Sequence, residues 1–174
     1  MIISVEDLRE FIETEQNDKV LEANLLALES SIRKYTNNNF QNIYIRYKTN
    51  ASNGKLILSD SKLKVGDTIQ VSQSMYNNGL YVVKELLENE IVLDKELMDE
   101  EEILITKVVY PLDVKMGVVE MMKWNLNNRD KVGIQSETIS RHSVTYFNMD
   151  ADNSILGFPK SLIGFLKPYM KARF

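Results

Sequence analysis

The chain has no cysteine and only one histidine among its 174 residues. It therefore has no disulfide, thiol nucleophile or thiolate metal site, and one histidine cannot form a multi-histidine metal site. A cysteine-free composition fits a reducing cytosol. The seven glycines are scattered, and neither GxGxxG nor GxxxxGK[ST] occurs. We accordingly expect no cofactor and no nucleotide chemistry.

Positive charge is also limited, with 21 basic against 25 acidic residues, a net charge of -4 and a pI near 5.2. This balance argues against a protein that grips a phosphate backbone over a broad surface. The longest stretch without charge, residues 68–83, contains several polar side chains and is not a membrane span. Glu6 and Asp7 lie where a signal peptide would be basic and then apolar, so we expect a soluble, non-secreted protein.

Two helices are predicted in the first 42 residues. Ser4 followed by Asp7 resembles a capping box and opens a short helix. The apolar positions of the second helix advance by four and three residues: Leu21, Leu25, Leu28, Ile32 and Tyr35. This stripe is typical of a helix that packs on a core, and it should end at the asparagines of residues 37–39.

From residue 43 to residue 110 the apolar period changes to two. Strands are predicted at Ile43 to Tyr47, Leu56 to Leu58, Thr68 to Ser72, Leu80 to Glu85, Glu90 to Leu93 and Ile103 to Val109. Gly54, Gly66 and the turn Asn77-Asn78-Gly79 should supply the positive φ angles of the connections. Short strands at this spacing predict a small SH3-like barrel.

At Pro111 the helical period returns and continues to about Asn128. Residues 129–152 are polar and predict a protruding loop or hairpin, and Pro159 opens a last helix that Pro168 bends or stops. The predicted fold class is α+β: a small helical host domain of about four helices, residues 1–42 and 111–174, with an inserted all-β unit at residues 43–110. The three consecutive segments carry net charges of -4, -3 and +3.

Few residues suggest catalysis or metal binding. The run Asp99-Glu100-Glu101-Glu102 is interpreted as a solvated turn, because adjacent carboxylates lack the spacing of a cation site. Residues 150–154 begin like a calcium loop, but Ile155 and Ser161 occupy its required glycine and glutamate positions. His142 has no carboxylate placed to orient its ring and is interpreted as a surface residue. We predict that the chain is not an enzyme and has no catalytic, metal-binding or cofactor-binding residues.

Aromatic side chains in the predicted barrel leave a second interpretation open. Tyr44, Tyr47, Tyr76 and Tyr81 resemble the stacking platforms of proteins that bind single-stranded nucleic acid. The barrel segment is net negative, however, so packing within the barrel is the favoured interpretation. The alternative function is a non-catalytic binding module, regulatory or associated with nucleic acid.

The order of parts along the chain is its most distinctive feature. Five parts follow one another: the helix end Ile32-Arg33-Lys34-Tyr35-Thr36, a second helix end at residues 124–129, a polar stretch, the dipeptide Phe158-Pro159, and the C-terminal residues 166–174. The polar stretch covers residues 133–146 and ends in Ser143-Val144-Thr145-Tyr146. This order resembles that of the head–tail connector (adaptor) proteins of tailed bacteriophages and prophages. The resemblance covers about 100 residues outside the predicted barrel.

Membership of that family would imply a structural subunit of a homo-oligomeric ring, a dodecamer in the virion neck, assembled in the bacterial cytoplasm. DNA would pass through the ring without specific binding, and the partners would be further copies of the chain, the portal protein and a tail-completion or stopper protein. The subunit interface would include Ser136, Glu137, Ser143, Val144, Tyr146 and Phe147. We assign the basic, aromatic C-terminal residues to the portal interface: Lys167, Tyr169, Lys171, Arg173 and Phe174. The alternative interpretation is a helix end whose lysines and arginine offset the helix dipole.

Overall fold

The structure, a computed structural model, describes residues 1–128, 136–139, 142–145 and 153–172. The chain divides into two compact units, one formed by Met1–Asn38 with Pro111–Phe174 and the other by Asn39–Tyr110. Within the described ranges, no helix is both long and apolar enough to cross a membrane.

The second unit is a closed six-stranded antiparallel barrel. Its strands are β1 (Gln41–Ser52), β2 (Lys55–Ile57), β3 (Thr68–Ser72), β4 (Gly79–Leu86), β5 (Glu90–Leu93) and β6 (Glu100–Val108). They pair in the order β1-β2-β5-β4-β3-β6, and β6 pairs again with β1. Every strand therefore has a hydrogen-bonded neighbour on both sides, and the barrel has no free sheet edge.

The barrel core is built from the inward-facing apolar residues of these strands and their connections. It contains Ala51, Leu56, Leu63, Ile69, Val71, Val83, Ile91, Leu93, Leu97, Ile103 and Ile105. The strand predictions are confirmed at all six places, with β1 extending five residues beyond its predicted end. Period-two alternation thus located the strands because each has one face on the core.

Strand β1 is irregular near its start. Gln41 pairs with Val108, but Arg46 pairs with Thr106, so residues 42–45 bulge out of the ladder opposite a single residue of β6. Asn42 accepts a hydrogen bond from the Tyr44 backbone N–H through its side chain, and Tyr44 is 89% exposed. The bulge therefore displays an aromatic side chain on the barrel surface.

The predicted fold class is wrong about which part of the chain is the main body. The barrel is the main body of the molecule, whereas the prediction made it an insertion in a helical host. Among the described residues the α-helices are four, of which the first and last are short: α1 (Val5–Arg9), α2 (Asp18–Thr36), α3 (Leu112–Asn128) and α4 (Lys160–Ile163). The last ends after four residues and continues as a 3-10 helix over Gly164–Tyr169, which contains Pro168, a residue without a backbone N–H. Apolar periodicity located the long helices but could not show which part of the chain dominates.

Two helices of the first unit, α1 and α2, begin at residues whose side chains accept from free backbone N–H groups. Ser4 caps α1 and Asn17 caps α2 through side-chain oxygens. Asn37 closes α2 in the left-handed region, with φ 49.

Along α3, Gly117 leaves room for a ring, because a Cβ there would lie 2.4 Å from the Phe165 side chain. The absence of a side chain at Gly117 thus admits Phe165 to the α3 surface.

Short strands complete the first unit. The strands β7 (Ser136–Ile139) and β8 (His142–Thr145) form an antiparallel pair, in the segment where the sequence predicts a loop or hairpin. Further on, β9 (Ser154–Ile155) pairs with β10 (Phe158–Pro159), and the Phe158 ring packs against Trp124 of α3 with centroids 5.3 Å apart. This contact joins the β9–β10 turn to α3.

Candidate protein-interaction site

The most highly connected polar side chain of the barrel is Glu100, the first residue of β6. Its carboxylate accepts a hydrogen bond from the Ser74 hydroxyl at 2.5 Å and one from the Met75 backbone N–H at 2.5 Å. It also accepts from the Tyr76 backbone N–H at 3.4 Å and from the Asn77 amide at 3.0 Å. One carboxylate therefore organises the connection between β3 and β4.

Asn77 extends this arrangement to the connection between β5 and β6. Its side chain is 3% exposed, donates to the Met98 carbonyl at 2.9 Å and accepts from the Met98 backbone N–H at 2.8 Å. The Asn77 backbone N–H donates to Ser74, and its carbonyl accepts from the Tyr81 hydroxyl. The two connections are thus tied together by a buried amide whose hydrogen-bonding groups are used on both sides.

These hydrogen bonds change the titration of Glu100. They favour the ionised carboxylate and lower the pKa of Glu100, the Ser74 hydroxyl contributing most, whereas desolvation opposes them. The negative charge of Glu100 is therefore part of the structure of these connections at neutral pH.

The same connections expose large apolar side chains. Met75 is 78% exposed, Tyr76 64% and Met98 64%. A cleft of about 450 Å³ is lined in part by Ile57, Asp99 and Glu101, and Glu100 belongs both to this cleft and to the hydrogen-bonded connections that carry the apolar side chains. We call Met75, Tyr76, Met98, Asp99 and Glu101 the barrel-end surface. It joins apolar area to carboxylates on a backbone held by Glu100 and Asn77, so it can bind another protein without first becoming ordered.

Sequence reasoning missed the role of this region. The run of residues 99–102 was expected to be a solvated turn, but Glu100 is the acceptor described above and Asp99 accepts from the Asn53 backbone N–H at 2.7 Å. The expected positive φ is present at Gly54 and Gly66, but in the β3–β4 connection it occurs at Gln73 and not within residues 77–79. Asn77 and Glu100 are 23 residues apart, and no local signal links them.

The four barrel tyrosines divide into two pairs. The Tyr47 hydroxyl accepts from the Lys62 backbone N–H, and the Tyr81 hydroxyl donates to Asn77, so both belong to the barrel structure as expected. Burial, and then the charge of Asp94, raise the pKa of Tyr81. For Tyr44 and Tyr76 the packing interpretation is wrong, because both are exposed.

The C-terminal segment is attached to the first unit by several hydrogen bonds. The Tyr169 hydroxyl lies 2.8 Å from both carboxylate oxygens of Asp113, and this hydrogen bond is the main reason that the pKa of Tyr169 is raised. The Asn38 side chain donates to the Tyr169 carbonyl, the Asn37 side chain to the Ala172 carbonyl, and the Lys171 backbone N–H to the Thr36 carbonyl. The segment is therefore fastened to the end of α2.

The residues assigned to the portal have different environments. Lys167 and Lys171 have exposed side chains, and Met170 between them is 50% exposed. Tyr169 is half-buried and its hydroxyl is bonded to Asp113. Arg173 and Phe174 lie outside the described residues. The exposed side chains of this segment thus include two cations and one thioether.

The residues assigned to the subunit interface lie in or next to the β7–β8 pair. Ser136 pairs with Thr145, Glu137 with Val144, and Thr138 with Ser143. Tyr146 and Phe147 lie outside the described residues, as do Asp150 and Asp152 of the calcium-like sequence. Four of the six predicted residues therefore belong to one antiparallel pair, while their role at an interface stays a prediction.

Within the described part of the chain, no group of three histidine, aspartate or glutamate side chains is arranged to hold a metal ion. Comparison with known proteins found no matching family model and no matching curated protein.

Proposed function

We propose that the chain is a structural head–tail connector subunit of a tailed phage or prophage. It joins further copies in a ring below the portal in the virion neck, bridges capsid to tail, and leaves a channel for DNA. The observation that carries the proposal is the order of motifs outside the barrel, which resembles that of connector proteins.

The described elements are compatible with that order. The motif at residues 32–36 closes α2, the polar segment contains the β7–β8 pair, and Leu166 to Tyr169 belong to the 3-10 helix. A ring subunit needs two different surfaces that meet head to tail. The barrel-end surface and the exposed lysines near the C-terminus differ in charge, which supports this use.

Net charge supports passage of DNA without specific binding. Each copy carries -4, so a ring of copies has no overall attraction for a polyanion. An acidic ring lets the duplex slide through, whereas a basic one would retain it. The proposal therefore assigns the chain a geometric role in which adhesion to DNA is weak.

The proposal is tested by co-expressing the chain with the portal protein of the same phage and by analysing assembled particles. We expect co-purification with the portal and a stoichiometric band in tail-bearing particles. Serine at both Tyr146 and Phe147 should leave the chain folded but remove it from particles, while the control Tyr44→Ser should be incorporated. Absence of the unaltered chain from assembled particles would refute the proposal.

The exposure of Tyr44 and Tyr76 favours one second candidate, a module that binds single-stranded nucleic acid by stacking. A mobility shift at low ionic strength that salt abolishes, and that Tyr44→Ser weakens, would support it. The net charge of the chain opposes this candidate, because stacking platforms lie in positively charged grooves.

A further inference from the structure

The barrel-end surface has the composition of a protein interface. Isolated exposed apolar side chains are common on proteins, but Met75, Tyr76 and Met98 belong to one hydrogen-bonded arrangement around Glu100 and Asn77. Methionine and tyrosine are both enriched at protein interfaces. Three such side chains on two fixed connections form a patch whose burial would remove apolar area from water.

The charge next to this patch defines its partner. The cleft is lined by Asp99, Glu100 and Glu101, and among the described residues that line it none is basic. Glu100 is occupied by the β3–β4 connection, and Asp99 accepts from Asn53, which leaves the exposed Glu101 carboxylate facing the cleft. The surface therefore fits a segment that carries a cation beside a bulky apolar side chain.

The chain itself contains such a segment. Lys167 and Lys171 are exposed, and the half-exposed Met170 lies between them. Residues 111–174 hold 9 basic and 6 acidic side chains, a net charge of +3, whereas the barrel segment is net negative. Hydrogen bonds from Asn37 and Asn38 hold the backbone of this segment, so little conformational freedom is lost when it binds.

We propose that the barrel-end surface of one copy receives the Lys167–Lys171 segment of the next copy. The lysines approach the exposed Glu101 carboxylate of the cleft, and Met170 packs on the apolar patch. The inference rests on the proposed ring function, because a contact between two different surfaces repeats from copy to copy. It gives Lys167 and Lys171 a neighbouring copy as their partner, in place of the portal.

Site-specific disulfide cross-linking tests the contact cleanly, because the chain has no cysteine of its own. Glu101→Cys and Lys171→Cys are made in two separate full-length chains, and one of the two chains carries a size tag. The two proteins are then mixed and oxidised under mild conditions. A mixed disulfide should form about tenfold or more faster than with the control Glu88→Cys, because contact raises the effective concentration to the mM range. Glu88 is an exposed carboxylate on the connection between β4 and β5.

Both cysteines in one chain should give a ladder of oligomers. Tyr76→Ser in that background should abolish the ladder, and Tyr44→Ser should leave it unchanged. Circular dichroism checks that each variant is folded. A mixed-disulfide rate equal to that of the Glu88→Cys control, or only an intrachain disulfide, would overturn the proposal.

The portal is tested as the competing partner. If Lys171→Glu abolishes portal binding and the Glu101→Cys, Lys167→Cys chain forms no ladder, the segment belongs to the portal and the inference falls. Failure of cross-linking in a chain still present in particles removes the inference but leaves the proposed function. A ladder from a chain that is absent from particles would support the contact between copies and refute the proposed function.

Discussion

The two units of the chain hold their residues in different ways. In the barrel, each strand is bonded on both sides, and the connections at one end are tied by Glu100 and Asn77. In the unit of Met1–Asn38 and Pro111–Phe174, the C-terminal segment is held by amide side chains at the end of α2 and by Asp113. Because the barrel is closed, its stability depends on its core. The position of the C-terminal segment depends instead on a few polar contacts between residues far apart in the chain.

The largest expected effects come from two matched isoleucines, one in each core. Ile103 of β6 and Ile32 of α2 are both fully buried. Alanine at either position should lower the free energy of unfolding by about 2–5 kcal/mol, through lost burial and the cavity left behind. Trp124, the only tryptophan, lies in α3 and reports on the first unit.

We expect Ile32→Ala to lower the urea midpoint of Trp124 fluorescence, and Ile103→Ala to lower the midpoint of the β-sheet circular dichroism while leaving the fluorescence midpoint unchanged. Coincident shifts of both signals in either variant would contradict the idea that each unit depends on its own core.

Much of the barrel could be predicted from sequence, and its connections could not. Alternation located β3 and β5 to the residue, because each strand buries one face. The left-handed end of α2 at Asn37 was also predicted, because asparagine tolerates that conformation. The hydrogen bonds that Glu100 accepts from residues 74–77 depend on how β6 pairs with β3, which local pattern does not encode.

The same limit applied to the C-terminal segment. Its composition indicated an interface, but Tyr169 is bonded to Asp113, 56 positions earlier. The dominance of the barrel was missed for a related reason: helical periodicity was visible at both ends of the chain, and the short length of α4 was not.

A smaller effect is expected at Glu100, and it depends on pH. Because its folded pKa is lowered, its stabilising contribution is present above the ordinary value of 4.5 and is lost as pH falls through the lower folded pKa. Acid should therefore reduce the hydrogen-exchange protection of the Met75 amide. Glu100→Gln should reduce that protection already at neutral pH and remove its acid dependence.

The control for Glu100→Gln is Glu88→Gln, which changes an exposed carboxylate outside the barrel-end surface. It should keep the acid dependence of the Met75 amide. If protection in the Glu100→Gln variant still fell with acid as in the unaltered chain, another group would be responsible for holding the β3–β4 connection.

The smallest effects are expected at Asn37, where two roles can be separated. Asn37 has φ 49 and donates from its side chain to the Ala172 carbonyl at 2.8 Å. Glycine keeps the conformation and removes only the hydrogen bond, which should cost about 0.5–1 kcal/mol at this exposed position. Alanine removes the bond and also opposes the left-handed conformation, so it should cost about 1–2 kcal/mol more. Urea titration followed by Trp124 fluorescence measures both variants. Equal losses would mean that the bond to Ala172 alone holds the segment, whereas a loss confined to alanine would mean that helix closure matters and the bond does not.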